Sequence, residues 1–271
     1  MPRPASSRLP RILPFVALLT VAAACDSDAV DTAPDALAAA YAEFDADNVS
    51  VTLDGSDVLI ESNGLPNHTS PYWSSTHERT INGPMGTQTT PAAAADHPLW
   101  VAPTATTYDQ MAPGNIDDFS GSYSLTVPAS PAKASSTSAT GLGPIGIAVS
   151  GAMIYDDQEG PAIPLDDAVG SLDVNGAHTG PQSYHYHLEP KAWSEDDEAL
   201  IGVISDGFFL YGRRDADGTY PTDLDASGGH TGPTPHNADG EYHYHIQNEL
   251  YLSRYYILFP GDYQGTPNAI N

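Results

Sequence analysis

Gly146-Ile147-Ala148-Val149-Ser150-Gly151-Ala152-Met153-Ile154-Tyr155 and Gly202-Val203-Ile204-Ser205-Asp206-Gly207-Phe208-Phe209-Leu210-Tyr211 follow one pattern. Each reads Gly, three mostly small or apolar residues, a polar residue, Gly, two variable residues, an aliphatic residue and Tyr. Two further matched blocks follow in the same order. Asp173-Val174-Asn175-Gly176-Ala177-His178-Thr179-Gly180-Pro181 answers to Asp225-Ala226-Ser227-Gly228-Gly229-His230-Thr231-Gly232-Pro233. Tyr184-His185-Tyr186-His187 is repeated as Tyr242-His243-Tyr244-His245. Three blocks in one order define an internal repeat, over about 146–187 and about 202–245. Two similar half-units packed about a pseudo-twofold axis are the expected arrangement.

The surrounding pattern is mainly β. Val51-Thr52-Leu53 and Val58-Leu59-Ile60 flank Asp54-Gly55, a turn between strands. Short apolar runs recur at 123–127, 145–149, 153–155, 199–204, 208–211 and 251–259, each bounded by Gly, Pro, Asp or Ser. With 24 Pro and 24 Gly in the chain, this predicts a single mainly β domain, residues 49–271, with two duplicated half-units and long Gly/Pro-rich loops. The Ala/Ser/Thr/Pro-rich stretch from Pro128 to Thr140 reads as an exposed loop.

The first residues are of another kind. Arg3, Arg8 and Arg11 precede an apolar run from Ile12 to Val21, then Ala22-Ala23-Ala24-Cys25. A basic start, a short apolar stretch and small residues read as a secretory signal, residues 1–24. The run is too short for a membrane-spanning helix, which needs ~20 residues. Cys25 is the chain's one cysteine, so an intramolecular disulfide is excluded. Its position resembles a bacterial lipobox, with Ala22 where that motif usually has Leu. The resemblance implies lipid attached at Cys25, a protein exported to the cell envelope and anchorage to a bacterial membrane. The competing reading is an ordinary signal beside a chance cysteine. Residues 25–48, acidic and Ala-rich, read as a tether, with a short helix at Ala36–Phe44. The formal charge is −26, from 9 basic and 35 acidic residues. Removing residues 1–24 would make it more negative. Such a field argues against nucleic acid or anionic lipid as a partner. Scattered acids with only Lys133 and Lys191 as lysines fit solubility in high salt better than a dedicated cation surface.

Seven histidines fall in the repeats: His178, His185, His187, His230, His236, His243 and His245. On a strand, side chains alternate, so His185 and His187 share one face while Tyr184 and Tyr186 share the other. His243 and His245 stand likewise. Two imidazoles on one face can share a metal ion. His178 and His230, expected in Gly-rich turns upstream, are placed to add a third donor to each pair. All-imidazole donors suit a transition metal, here copper or zinc. The four methionines are not clustered with the histidines. Asp173 and Asp225 are expected either to orient a ligating ring or to cap a turn. His236 has no counterpart in the first copy, and His77 and His97 lie outside the repeated pattern.

Taken with Ser62-Asn63-Gly64-Leu65-Pro66-Asn67-His68, both Gly-x-His-Thr-Gly blocks and both Tyr-His-Tyr-His tetrapeptides, residues 58–250 resemble the bacterial YHYH-domain family. The resemblance implies an exported bacterial protein and adds His68 as a possible ligand. It brings no settled reaction. Phe208-Phe209 departs from many relatives, where a Pro is common before the aliphatic-Tyr pair.

Three functions compete at this point. The first is an extracytoplasmic lipoprotein that binds a transition metal without turnover. The second is a metalloenzyme, a hydrolase or copper oxidase, with an open three-histidine site and Asp206 as acid or base. The third is a structural surface module in which the histidines only pack. Because imidazole must be neutral to ligate, metal release is expected as pH falls through about 6.5.

Overall fold

A computed structural model describes residues 36–70, 72–73, 79–83, 86–90, 121–161, 163–167, 172–173, 175–179, 183–190, 196–252 and 256–271. The expected signal at 1–24, Cys25, the first part of the tether, His77 and His97 lie outside the described residues. The rest is mainly β, with no α-helix among the described residues. No helix there is long and apolar enough to cross a membrane.

The strands are β1 (Val49–Asp54), β2 (Asp57–Ser62), β3 (Arg79–Gly83), β4 (Gly86–Thr90), β5 (Tyr123–Pro128), β6 (Gly146–Ala148), β7 (Met153–Ile154), β8 (Gln158–Gly160), β9 (Ile163–Pro164), β10 (Ala177–Thr179), β11 (Tyr184–Tyr186), β12 (Leu200–Ile204), β13 (Phe209–Tyr211), β14 (Gly229–Thr234) and β15 (Asn237–His245). The β1–β2 hairpin turns at Asp54-Gly55 as the sequence predicts, and Gly55 takes φ 64°. The apolar run at 251–259 forms no strand among its described residues; Tyr251 and Ile257 each make an isolated bridge, that of Ile257 to Leu188.

Eight strands make the central sheet, in the order β10-β11-β7-β6-β12-β13-β15-β14. At its centre β6 and β12 pair antiparallel, with Ile147 opposite Val203. Outward from that pair, β7, β11 and β10 follow on one side, and β13, β15 and β14 on the other. Two contacts are parallel, β11 with β7 and β15 with β13. Paired residues share a face of a sheet, so the registers fix which side chains lie together. His185 stands opposite Met153, and Tyr186 opposite Ile154. His245 stands opposite Tyr211, and Tyr244 opposite Leu210.

Each face has its own core. The tyrosine face packs Tyr184, Tyr186, Ile154, Leu210 and Tyr244 against Trp73, Leu258 and Phe259. The opposite face packs Ile147, Met153, Val203, Phe209 and Tyr211 against Val58 and Ile60 of β2 and Leu125 and Val127 of β5. Those two strands belong to a second sheet, β1-β2-β5, which covers the middle of the histidine face. The histidines of β11 and β15 lie to either side of the covered centre.

The described part of the expected tether, from Ala36, packs into the domain. The short helix expected at Ala36–Phe44 is a 3-10 helix, Ala39–Glu43. Ala40, Tyr41 and Phe44 are buried in the second core, and the Tyr41 ring meets Phe209 edge-on at 5.0 Å. These few apolar residues, spaced along a single turn and a half, supply the anchor that the Ala/Asp composition conceals.

Gly202 shows how tightly the centre is built. A Cβ there would sit 2.3 Å from the Ile147 carbonyl oxygen and 2.8 Å from the Ala148 Cα. Both obstacles are backbone of the paired strand and cannot swing aside. Gly202→Ala should therefore destabilise the fold by about 2–3 kcal/mol. Gly141→Ala, with nothing within 4 Å of the new atom, should change it by less than about 0.5 kcal/mol. Thermal or denaturant unfolding of the two variants checks the contrast.

Candidate metal centres

The histidines form two separate groups. The first contains His178, His185 and His187; the second contains Asp215, His230, His243 and His245. Within each group the potential ligand atoms all lie within 4.8 Å of one another. β11 and β15 are five strand positions apart in the sheet, about 24 Å at ~4.8 Å per strand. The two copies thus form two separate groups on one face of the sheet.

His178 and His230 are not in turns. They lie on β10 and β14, directly opposite His185 and His243 in antiparallel register. The turns come just before them, at Gly176 (φ 71°) and Gly228 (φ 79°). Cross-strand neighbours stand about 5 Å apart on one face, so simple pairing delivers the third imidazole. The rings pack edge to face, His178 to His185 at 4.6 Å and His230 to His243 at 4.8 Å.

Backbone carbonyls set the tautomers. A carbonyl only accepts, so the ring nitrogen facing one must carry the proton. His185 Nδ1–H donates to Ser183 O (2.8 Å), and His187 Nδ1–H donates to Asp156 O (2.7 Å). His243 Nδ1–H donates to Glu241 O (2.9 Å), and His245 Nδ1–H donates to Gly212 O (2.7 Å). In the neutral ring Nε2 is then a bare lone pair. His185 Nε2 and His187 Nε2 face each other at 3.1 Å, and His243 Nε2 and His245 Nε2 at 2.8 Å. His230 repeats the arrangement with a side chain: Nδ1 lies 2.9 Å from Asp223 Oδ1, and Nε2 lies 3.3 Å from His245 Nε2.

A carboxylate lies beside each group, within the donor set only in the second. Asp215 Oδ1 is 3.0 Å from His230 Nε2 and 3.3 Å from His245 Nε2. Glu159 Oε2 is 3.4 Å from His178 Nε2 and 3.7 Å from His187 Nε2. Neither acid was singled out from the sequence. A signal was present: Glu159 and Asp215 each follow the repeat tyrosine, Tyr155 or Tyr211, by four positions.

Lone pairs and carboxylate oxygens crowded this way repel unless a cation lies among them. Tetrahedral ligands at the ~2.0–2.1 Å of a zinc–nitrogen bond stand about 3.3 Å apart. The observed separations match that spacing. Burial keeps the rings neutral and ready to ligate. Desolvation lowers His187 and His243 to about 4, holds His178 and His185 well below the ordinary value, and lowers His245. Desolvation also raises the Glu159 carboxyl to about 7.

The remaining candidates lie elsewhere. His68 is on the tyrosine side of β11, where Nε2 meets the Tyr186 hydroxyl at 2.6 Å and Nδ1 lies 3.0 Å from Thr69 O. It joins neither group, because β11 turns its tyrosines and histidines to opposite faces. The block that carries it docks on the Ser150-Gly151 turn, through Ser62 Oγ–H to Gly151 O (2.5 Å). Asp173 and Asp225 orient no imidazole. Asp173 accepts from the Tyr184 hydroxyl (2.6 Å) and from Asn175 N–H (2.7 Å); Asp225 accepts from the Tyr242 hydroxyl (2.9 Å) and from Ser227 N–H (3.0 Å). Turn capping and tyrosine anchoring are their roles. Asp206, the candidate acid or base, is also on the tyrosine face. It is buried and accepts from the Tyr244 hydroxyl (2.6 Å) and Gly265 N–H (2.9 Å). Those bonds tie the C-terminal segment to the sheet and leave it no access to either group. His236 bridges Tyr211 and Glu43, with Nδ1 3.0 Å from the hydroxyl and Nε2 3.4 Å from Oε1.

A family model described as YHYH protein matches residues 124–222. That span holds the first tetrapeptide and the whole first group, and of the second group it reaches only Asp215. No curated protein matches the chain. No solved structure matches it either.

The depressed histidines have a consequence for the metal-free protein. Their folded values lie below the ordinary value near 6.5, so the unfolded chain takes up protons first as the pH drops. The stability they contribute is full above about 6.5 and is lost as pH falls toward about 4. Melting of chelator-treated protein across that range should show Tm falling by several degrees. With His185, His187, His243 and His245 all replaced by Gln, the decline should flatten.

Proposed function

We propose that this protein binds two transition-metal ions, one in each histidine group, as an exported lipoprotein of the bacterial cell envelope. The carrying observation is the pairing of bare Nε2 lone pairs, at 3.1 Å in one group and 2.8 Å in the other, with the opposite ring nitrogens committed to carbonyls. A purely structural layer of histidines would place a donor hydrogen between such nitrogens. Here the donors point outward, and the interior is left for a cation. Imidazole and carboxylate donors, with no thiolate or thioether, suit zinc or copper(II).

Two further parts of the reading rest on sequence and topology. Arg3, Arg8, Arg11, the apolar run and Cys25 support export and lipid attachment at Cys25. Matched blocks, a sheet order that runs alike outward from β6 and β12, and equivalent registers at His178–His185 and His230–His243 support descent of the two half-units from one ancestral unit. Asp206 is engaged on the far side of the sheet and so is removed as the acid or base of the catalytic alternative.

Elemental analysis of the purified full chain tests the reading. Two ions per chain are expected. His185→Ala with His187→Ala should leave one, His243→Ala with His245→Ala should leave one, and the fourfold variant should leave none. Folded wild-type protein that retains no zinc or copper after loading would refute it. Acyl labelling that persists in Cys25→Ser would refute the anchor.

A further inference from the structure

We infer that the two centres differ in kind: the second is closed by four protein ligands, whereas the first offers three imidazoles and an open position for a small exogenous ligand, with Glu159 beside it. This rests on the metal-binding reading above and specifies what the first centre can hold.

The two carboxylates are placed differently. Asp215 is in mutual ligand range of all three imidazoles of its group. It is fixed in a tight turn, with Asp215 N–H donating to Thr219 O (2.9 Å) and Gly218 N–H donating to Asp215 O (2.9 Å). A four-donor set of three nitrogens and one oxygen fills a tetrahedral shell. Glu159 falls outside the corresponding set. It approaches His178 and His187 at 3.4 and 3.7 Å, but it is not in range of His185. An ion held by the three imidazoles keeps a vacant corner next to this oxygen.

Two observations mark that corner as a ligand position. Glu159 Oε2 is buried yet accepts no hydrogen bond among the described residues; Asp215 Oδ1 is alike in this, but it is in ligand range of every imidazole of its group, and Glu159 is not. A buried acceptor without a donor is a standing penalty, relieved when a ligand such as water donates to it. The Glu159 side chain is 21% exposed, as is that of Asp215, so each carboxyl stands at the solvent edge of its group; they differ in that Asp215 closes its donor set and Glu159 does not. Glu159 thus lies where a small molecule reaches the group from solvent. The ring environments differ as well. Tyr155 stacks flat on His185 at 3.7 Å and 18°, while the matched Tyr211 meets His243 edge-on at 5.4 Å and 82°. The stacked ring fixes the plane of the His185 imidazole, and with it the direction in which Nε2 presents its lone pair.

Cobalt(II), which reports its coordination through visible absorption, and azide as a small anionic probe test this on the full chain. Wild type loaded with two cobalt ions should bind one azide, seen as a single saturable change in the visible band. The His243→Ala/His245→Ala variant should keep that response. The His185→Ala/His187→Ala variant should retain cobalt and lose it. Asp215→Ala, which opens the second centre without touching an imidazole, should raise azide uptake to two per chain. Glu159→Gln should tighten azide at the first centre several-fold by removing a facing carboxylate, with cobalt stoichiometry unchanged. Two azides, or none, on wild type holding two cobalt ions would overturn the inference and leave metal binding intact. No bound cobalt in folded protein would overturn both. Thermal melts of each variant identify any that fail to fold, and Asp215→Ala and Glu159→Gln carry the test independently of the histidine variants.

Discussion

Two imidazoles held with their protonated nitrogens outward must turn bare lone pairs toward each other. In each tetrapeptide that constraint comes from two backbone carbonyls, Ser183 and Asp156 in one copy and Glu241 and Gly212 in the other. Such an arrangement is repulsive alone and favourable around a cation. Much of the nearby structure serves to hold it. Asp156 O and Gly212 O belong to the segments that follow β7 and β13, so the strands pairing in parallel with the tetrapeptides also supply the carbonyls that fix the second imidazole of each pair.

Strand alternation divides the labour within four residues. The tyrosines of each tetrapeptide anchor the strand from behind. Tyr184, Tyr186 and Tyr244 are fully buried, and their hydroxyls end on Asp173, Ser150 and Asp206. A buried hydroxyl with a good acceptor fixes ring position as well as depth. The histidines on the other face thereby inherit a rigid strand, which a site with ångström-scale ligand spacing requires. Where the first copy holds the Tyr186 hydroxyl with Ser150 and His68, the second holds the Tyr244 hydroxyl with Asp206 and the Gln264 N–H, and Gly265 N–H donates to Asp206. The same hydroxyl is held by different chemistry.

Much of this is legible in the sequence. Period-two alternation places the histidines together and the tyrosines opposite, and the three matched blocks nominate all six clustered imidazoles. The exceptions have physical causes. His178 and His230 read as turn residues because Gly and Pro surround them, yet cross-strand pairing overrides that local signal. Glu159 and Asp215 were hidden because a matched acidic position does not stand out among 35 acidic residues. His68 came in through a sequence block whose physical task is to dock on the Ser150-Gly151 turn and receive Tyr186. The Ala36–Phe44 segment looked like tether because three buried residues in an Ala/Asp background leave little periodicity to detect.

The central claim is that imidazole Nε2 atoms surround a metal in both half-units. X-ray absorption at the zinc edge of the zinc-loaded full chain measures this directly. The account predicts a shell of nitrogen and oxygen scatterers at about 2.0–2.1 Å, no sulfur, and outer-shell scattering worth three imidazoles per zinc. An oxygen-only shell without imidazole scattering would contradict it, because the metal would then sit on surface carboxylates and the facing histidines would have no ion to share.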